Sequence, residues 1–198
     1  MVSSALKPAV NRVIEPIARI AIKAHVTPNA VTLVGTAGSV VAALYFFPRG
    51  DLFLGTLVIS FFALSDLFDG AIARLSEKGA SAWGGFLDST CDRITDSAIL
   101  GGVSIYCILE DFAIYPVVIA SIVIGFLVPY IRAKAESFGI SCTVGIAERT
   151  ERIILALTGI GLEGVGLPYA LTISMWLLFA LGVITVMQRI FVVRKGLL

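Results

Sequence analysis

The sequence has little of what a soluble or disulfide-bonded protein requires. Only 15% of its 198 residues are charged and 58% are hydrophobic, whereas about a quarter of the residues in a soluble domain are charged. There is one histidine, and the three cysteines, Cys91, Cys107 and Cys142, have neither the number nor the spacing of a disulfide framework or a zinc site. With a mean hydropathy of +0.96, the chain is predicted to be an integral membrane protein.

Apolar runs divide most of the chain into about six segments, each near the roughly 20 residues that cross a bilayer. They cover residues 29–47, 52–75, 84–109, 112–135, 150–167 and 169–192. Before them, residues 4–24 alternate apolar and basic side chains at helical spacing, which predicts an amphipathic helix on the membrane surface. The expected fold is a single all-α membrane domain over residues 1–198, with a juxtamembrane helix at 4–24 and a six-helix bundle at 29–192.

The basic residues are distributed unevenly between the two sides of this bundle. If the N-terminus is cytoplasmic, all of the 15 lysines and arginines except Arg49 fall on or near the cytoplasmic side. This asymmetry follows the positive-inside rule. It predicts a multi-pass protein of the cell (plasma) membrane with both termini in the cytoplasm.

Five aspartates interrupt the apolar pattern over residues 65–96. Asp66 and Asp69 are three apart and Asp88 and Asp92 are four apart, so each pair lies on one face of a helix. A turn at residue 79 would point all four carboxylates at one spot near the cytoplasmic surface. Each ionised aspartate near a bilayer centre costs about 2.5–3.5 kcal/mol, and crowded like charges repel each other, so a cation is needed between them.

The ligand chemistry of such a site can be predicted from the residue types. Carboxylates without a partnering histidine or cysteine favour a hard divalent ion, Mg²⁺ first and Mn²⁺ second. Four aspartates are enough to hold two ions per active site, an arrangement that favours phosphoryl transfer.

The pattern D-x2-D-G-x2-A-R-x9-G-x3-D-x3-D resembles the signature of the CDP-alcohol phosphotransferases. It is carried by Asp66, Asp69, Gly70, Ala73, Arg74, Gly84, Asp88 and Asp92. The resemblance implies a divalent-metal-dependent enzyme that transfers the phosphatidyl group of CDP-diacylglycerol to an alcohol and releases CMP. It also implies a homodimer.

The resemblance also implies roles for single residues. The four motif aspartates are expected to bind the metal ions, and Asp92 is in addition expected to be the general base for the acceptor hydroxyl. Asp96 continues the four-residue spacing outside the pattern and is expected to be a supporting or structural group. The residues expected to contact CDP-diacylglycerol are Asn29, Ala30, Val31 and Thr32 in the T-P-N-A-V-T segment, together with Gly70, Ala73, Arg74, Ser81 and Gly84.

A second polar concentration follows the fourth span, in the runs Y-I-R-A-K-A-E-S-F-G and A-E-R-T-E-R and the later pair Q-R. Positive-inside flanks explain part of it, but arginine also suits a phosphorylated acceptor because it matches phosphate in geometry and charge. The runs are similar to those of the phosphatidylinositol phosphate synthases of actinobacteria, whose acceptor is inositol 1-phosphate. By this resemblance Arg132, Arg152 and Arg189 hold the acceptor phosphate, joined by Arg149 on the helix face of Arg152.

Other interpretations stay open at this point. A phosphatidylglycerophosphate synthase, or another enzyme of the same family, would use the same chemistry on a different alcohol. An ion-coupled transporter would use the aspartates as its ion site, although transporters more often place such groups near the midplane on interrupted helices. A non-catalytic assembly protein would leave four convergent carboxylates without a purpose. The expected partners are CDP-diacylglycerol, inositol 1-phosphate, the lipid bilayer and a second copy of the chain, and no nucleic acid.

Overall fold

The computed structural model describes residues 15–76 and 81–198, and within them every regular element is helical. The helices are α1 at residues 15–23, α2 Pro28–Phe46, α3 Leu52–Ala63, α4 Ser65–Leu75, α5 Ala82–Leu109, α6 Tyr115–Ser137, α7 Arg149–Gly164 and α8 Ala170–Leu197, with a 3-10 turn at Phe47–Arg49. The predicted all-α class is confirmed for this part of the chain. The turn predicted at residue 79 lies outside the described residues.

Within residues 15–76 and 81–198, four helical stretches are long and apolar enough to cross a membrane. They are Pro28–Arg49, Leu52–Leu75, Tyr115–Ser137 and Ala170–Leu197, and they coincide with the first, second, fourth and sixth predicted spans. The third and fifth predicted spans are helical too, as α5 and α7. However, α5 carries the charged motif residues in its first half, and α7 is only 16 residues long. The protein is therefore a helical membrane protein, and the count of six spans stays a prediction.

The predicted juxtamembrane helix is described from residue 15 onwards, and residues 4–14 lie outside the described part. In α1, Ala18 is fully buried and packs with Ala71 and Ile72 of α4. On the same face, Ile22 joins this small core, while Ile20 is 66% exposed. The segment thus packs one face on protein and leaves apolar surface outside, and its location at the membrane surface stays a prediction.

The chain forms two compact units. The first consists of Met1–Val41 and Ile59–Thr95, and the second of Ala42–Val58 and Asp96–Leu198. The first unit contains all four motif aspartates. The second contains α6, α7 and α8, in which α8 packs against both of the others.

One close approach between helices in the second unit depends on a glycine. A Cβ atom at Gly102 in α5 would lie 2.5 Å from the carbonyl oxygen of Ala43 in α2. At the neighbouring Gly101, a Cβ atom would meet no heavy atom within 4 Å. The two glycines therefore have different functions, since Gly102 permits helix packing and Gly101 faces open space.

Gly102→Ala is expected to lower the free energy of unfolding by about 1–3 kcal/mol, because the obstructing atoms belong to the backbone and cannot rotate away. Gly101→Ala is the matched control, and it should be neutral or stabilising because alanine favours a helix by about 1 kcal/mol over glycine. Thermal unfolding of the two purified variants in the same detergent makes the comparison. Equal midpoints would contradict the close approach of α2 and α5.

Candidate functional site

The motif aspartates lie on two helices of the first unit, as their spacing predicts. Asp66 and Asp69 occur in the first half of α4, and Asp88 and Asp92 occur in the first three turns of α5. A three- or four-residue separation on a helix puts the members of each pair on one face.

Asp69 is the most buried of the four, with 8% of its surface exposed. The hydroxyl of Thr32 on α2 donates a hydrogen bond from Oγ1 to Asp69 Oδ2 at 2.5 Å. The carboxylates of Asp66 and Asp88 are close enough to interact electrostatically with Asp69. The first unit thus places at least two further carboxylates close to one buried, oriented carboxylate.

The donor set of this neighbourhood fits a hard divalent cation. Its candidate ligands are carboxylates, and the hydroxyl of Thr32 orients Asp69 in the way that outer hydrogen bonds orient metal ligands. Among the residues that the structure describes, however, no three carboxylate, histidine or cysteine side chains are grouped closely enough to surround an ion. The structure therefore brings Asp66, Asp69 and Asp88 into one neighbourhood without forming a coordination shell.

Asp92 lies beside Arg93, an arginine that is not part of the sequence motif. The Nη2 atom of Arg93 is 3.6 Å from Asp92 Oδ2, and the two side chains are 19% and 17% exposed. Arg93 therefore balances part of the charge of Asp92. Its only signal in the sequence is its position next to that aspartate.

Three of the residues predicted to contact the CDP-lipid meet near the beginnings of α2 and α5. The backbone N–H of Gly84 donates to Ser81 Oγ at 2.9 Å, which satisfies a free amide in the first turn of α5. A Cβ atom at Gly84 would lie 3.1 Å from Ser81 Oγ and 3.3 Å from Asn29 Oδ1. The polar side chains of Ser81 and Asn29 therefore lie close to the helix backbone at Gly84, which has no side chain to cover it.

A second glycine in the motif has a similar setting. A Cβ atom at Gly70 would lie 3.3 Å from Nη1 of Arg74, so the guanidinium lies beside the bare backbone one turn earlier. Ala73 is partly buried on the same helix. In α2, Ala30 is exposed, whereas Val31 packs against the small core that includes Ala71.

The arginines predicted to bind the acceptor phosphate all lie in the second unit, but in different surroundings. Arg132 is exposed, and its Nε donates to Glu136 Oε1 at 2.9 Å one turn further along α6. Exposed pairs of this kind contribute little to stability. Arg132 is thus available at the surface near the end of α6.

Arg189 is 7% exposed and connects three parts of the second unit. Its Nη1 donates to the carbonyl of Val128 at 2.5 Å, directly before Pro129 in α6, and its Nε donates to the carbonyl of Val144 at 3.0 Å. These bonds attach α8 to α6 and to the loop that leads into α7. In this arrangement Arg189 binds two backbone carbonyl groups and so connects three segments. The sequence alone does not indicate this structural function.

The A-E-R-T-E-R run contains a helix start as well as two arginines. The side chain of Glu148 accepts from the backbone N–H of Glu151, and Glu151 Oε2 accepts from the backbone N–H of Glu148 at 2.7 Å. This reciprocal capping box fixes the first turn of α7. Arg149 and Arg152 therefore extend from a well-defined helix end.

A cavity in the second unit contains about 420 Å³ of empty space, part of it open to solvent. Aliphatic side chains and two glycines form most of its lining, and the polar side chains in it are Asp96, Ser121 and Arg152. Arg149 Nε donates to Asp96 Oδ1 at 3.2 Å. Of the four predicted arginines, which all lie in the described part of the chain, Arg152 is the one that lines this cavity.

Together, these features define a helical membrane protein with a carboxylate-rich motif on two helices and a buried arginine in a cavity, which suits chemistry on phosphate esters. The family model described as CDP-alcohol phosphatidyltransferase matches residues 25–193. The chain belongs to this family, and the resemblance found in the sequence is confirmed.

The similarity extends over nearly the whole chain. Phosphatidylinositol phosphate synthase of Mycolicibacterium smegmatis is 39% identical over 186 residues, which cover 91% of this chain and 83% of that protein. The crystal structure of the Mycobacterium tuberculosis phosphatidylinositol phosphate synthase with CDP-DAG bound is 40% identical and has a TM-score of 0.86, with 92% of this chain and 94% of that chain covered. The same synthase in complex with manganese and citrate is 41% identical and has a TM-score of 0.83, with 91% and 88% covered.

Proposed function

We propose that the protein transfers the phosphatidyl group of CDP-diacylglycerol to a hydroxyl of inositol 1-phosphate, forming phosphatidylinositol phosphate and releasing CMP. The observation that carries the proposal is the 40% identity, over 92% of the chain, to a phosphatidylinositol phosphate synthase whose crystal structure contains CDP-DAG. The family motif supports it, since its aspartates lie on α4 and α5 with Asp69 buried and oriented. The buried Arg152 in a cavity supports a phosphorylated acceptor.

For the metal, we propose that Asp66, Asp69, Asp88 and Asp92 hold two Mg²⁺ or Mn²⁺ ions per active site. The manganese complex of the Mycobacterium tuberculosis synthase supports a divalent ion, and carboxylate donors without nitrogen or sulfur favour these two. When bound, such ions neutralise charge on the pyrophosphate and on the CMP leaving group.

Thr32→Val is expected to weaken the affinity for Mn²⁺ by about tenfold, because it removes the hydroxyl that orients Asp69 while nearly keeping its volume. The midpoint of thermal unfolding, measured against Mn²⁺ concentration, reports this affinity without requiring turnover. Thr158→Val, at an exposed position on α7, is the matched control. If both variants respond to Mn²⁺ like the unmodified protein, Asp69 is not a ligand that depends on Thr32.

Other residues of the chain would bind the nucleotide and phosphate groups and accept the proton of the acceptor. Gly84 and Gly70 let the nucleotide approach helix backbone, with Asn29 and Ser81 beside the first, and Arg74 beside the second gives charge-assisted hydrogen bonds to phosphate. Ala30, Val31 and Ala73 line the approach to these groups. Asp92 accepts the proton of the acceptor hydroxyl, and Arg152 binds the acceptor's phosphate.

We also propose six membrane spans, an active site and both termini on the cytoplasmic side of the plasma membrane, and a homodimer. The positions of α5 and α7 at the third and fifth apolar segments support the six spans. The one-sided distribution of lysine and arginine supports the orientation. Labelling of single cysteines introduced into the loops tests the topology, and native mass measurement in detergent tests the dimer.

The decisive experiment measures CMP release by the purified protein in detergent with CDP-diacylglycerol and Mg²⁺. Inositol 1-phosphate, free inositol and glycerol 3-phosphate are supplied in parallel. Release with inositol 1-phosphate alone is the expected result. Release with glycerol 3-phosphate instead would keep the chemistry and make the protein a phosphatidylglycerophosphate synthase, whereas no release with any acceptor would overturn the proposal.

A further inference from the structure

We propose that Asp96 determines acceptor specificity, by accepting hydrogen bonds from the hydroxyls of a polyol phosphate whose phosphate is bound by Arg152. In this proposal Arg149 is the counter-ion of Asp96 and does not bind the phosphate itself. The inference rests on the proposed function and names the groups that recognise its acceptor. It also gives a role to an aspartate that lies outside the family pattern.

The cavity in the second unit is lined by charged groups of both signs. Its three polar side chains come from three helices, Asp96 from α5, Ser121 from α6 and Arg152 from α7, among aliphatic neighbours. An arginine donates to phosphate, whereas a carboxylate repels phosphate and accepts from hydroxyls. A cavity that contains both groups fits a ligand with an anionic end and a hydroxylated end.

Asp96, which lines the cavity, forms an ion pair with Arg149. Asp96 and Arg149 have side chains that are 15% and 26% exposed, and the Nε–Oδ1 distance is 3.2 Å. Burial of a carboxylate is costly without such a partner. Arg149 is the first residue of α7, whose first turn is held by the capping box, so its position is well defined. Since the cavity lining contains Asp96 and not Arg149, Arg149 acts on a ligand in the cavity through Asp96.

Asp96 lies on α5, the helix that also carries Asp92. It follows Asp92 by four residues on a continuous helix, which is one turn and about 6 Å along the helix axis. A hydroxyl-binding group at this spacing from the proposed base suits an acceptor that presents several hydroxyls. Inositol 1-phosphate has five hydroxyls and glycerol 3-phosphate has two, so Asp96 would favour the former.

The test compares acceptor preference in variants of Asp96. In Asp96→Ala, kcat/KM for inositol 1-phosphate is expected to fall about 100-fold and that for glycerol 3-phosphate less than about fivefold, because a site built to pair with hydroxyls loses most with the ligand that offers most of them. Asp96→Asn keeps one acceptor oxygen and should lose about tenfold with inositol 1-phosphate. Asp111→Asn, at an exposed loop position where asparagine suits the φ of 54°, is the control and should change neither.

Arg149→Met separates the two roles of that arginine. As a counter-ion it should weaken inositol 1-phosphate binding in the unmodified protein but add less than about twofold in the Asp96→Ala background. If the two substitutions instead weaken inositol 1-phosphate binding independently, so that their fold-losses multiply in the double variant, Arg149 binds phosphate directly. That result would overturn its assignment as a counter-ion. Titration calorimetry with inositol 1-phosphate gives the same comparison without turnover.

The outcomes also separate this inference from the proposed function. If the unmodified protein neither binds inositol 1-phosphate nor releases CMP with it, the proposed function fails and the inference fails with it. If it does both but Asp96→Ala lowers kcat/KM for the two acceptors equally, the function stands and the specificity role of Asp96 is wrong. A loss confined to inositol 1-phosphate supports the inference, because general structural damage would affect both acceptors.

Discussion

Asp92→Asn is expected to lower kcat for CMP release by about 10³-fold while the affinity for CDP-diacylglycerol falls less than about tenfold. Asparagine has the shape of aspartate and keeps one oxygen that can contact a metal ion, but it cannot accept the proton of the acceptor hydroxyl. Positioned general bases contribute 10²- to 10⁴-fold to enzymatic rates. The side chain is only 17% exposed and lies 3.6 Å from Arg93, so bulk water cannot easily replace it as base.

The measurement needs rate and binding from the same preparations. CMP release at saturating CDP-diacylglycerol and inositol 1-phosphate gives kcat, and titration with CDP-diacylglycerol in the presence of Mn²⁺ gives the affinity. Asp51→Asn, at an exposed position before α3, is the control for loss of a carboxylate charge. If the affinities for CDP-diacylglycerol and Mn²⁺ fall as far as kcat, Asp92 is mainly a metal ligand and the base lies elsewhere.

The second large effect is expected at Arg152, where replacement by methionine should raise KM for inositol 1-phosphate about 100-fold and change KM for CDP-diacylglycerol less than threefold. Arg152 is 7% exposed and lines the aliphatic cavity, where a charge-assisted bond to phosphate is stronger than in water. A 100-fold change corresponds to about 2.7 kcal/mol. Methionine keeps an unbranched stem and most of the volume of the side chain, so that loss of the guanidinium is tested with a smaller void than alanine would leave.

Two companion variants make this result specific. Arg152→Lys keeps the charge without the planar fork and should recover part of the affinity. Arg194→Met removes an exposed cation in the last turn of α8 and should change neither KM. If KM for CDP-diacylglycerol rises more than KM for the acceptor in Arg152→Met, the cavity is not the acceptor site.

Membership of the CDP-alcohol phosphatidyltransferase family also bears on the interpretations that the residues left open. A transporter or an assembly protein would not need the Gly70 and Arg74 positions, where bare helix backbone lies beside a guanidinium. The remaining alternative is a sister enzyme with another acceptor alcohol. In the proposed site the acceptor is bound in the cavity and not by the motif, so the variants of Arg152 and Asp96 are the ones that test this choice.

The sequence by itself determined the class of protein, the family and the two helices that carry the aspartates. Hydropathy identifies apolar spans because each helix must satisfy its own backbone within the bilayer. Spacings of three and four residues place side chains on one face because the helical repeat is a local property of the chain. For the same reason, the pairing of Glu148 with Glu151 is a local signal, although the run A-E-R-T-E-R draws attention first to its arginines.

Only the tertiary structure decided which partners these side chains have on other helices. Thr32 meets Asp69 across 37 residues, Arg149 meets Asp96 across 53, and Arg189 meets Val128 across 61. The four arginines look alike in the sequence but have different settings in the structure. Arg132 pairs with Glu136 at the surface, and Arg149 pairs with Asp96. Arg152 lines the cavity, and Arg189 binds backbone carbonyls. Periodicity tells which face of a helix a residue occupies but not which helix packs there, because that depends on side-chain packing over the whole fold.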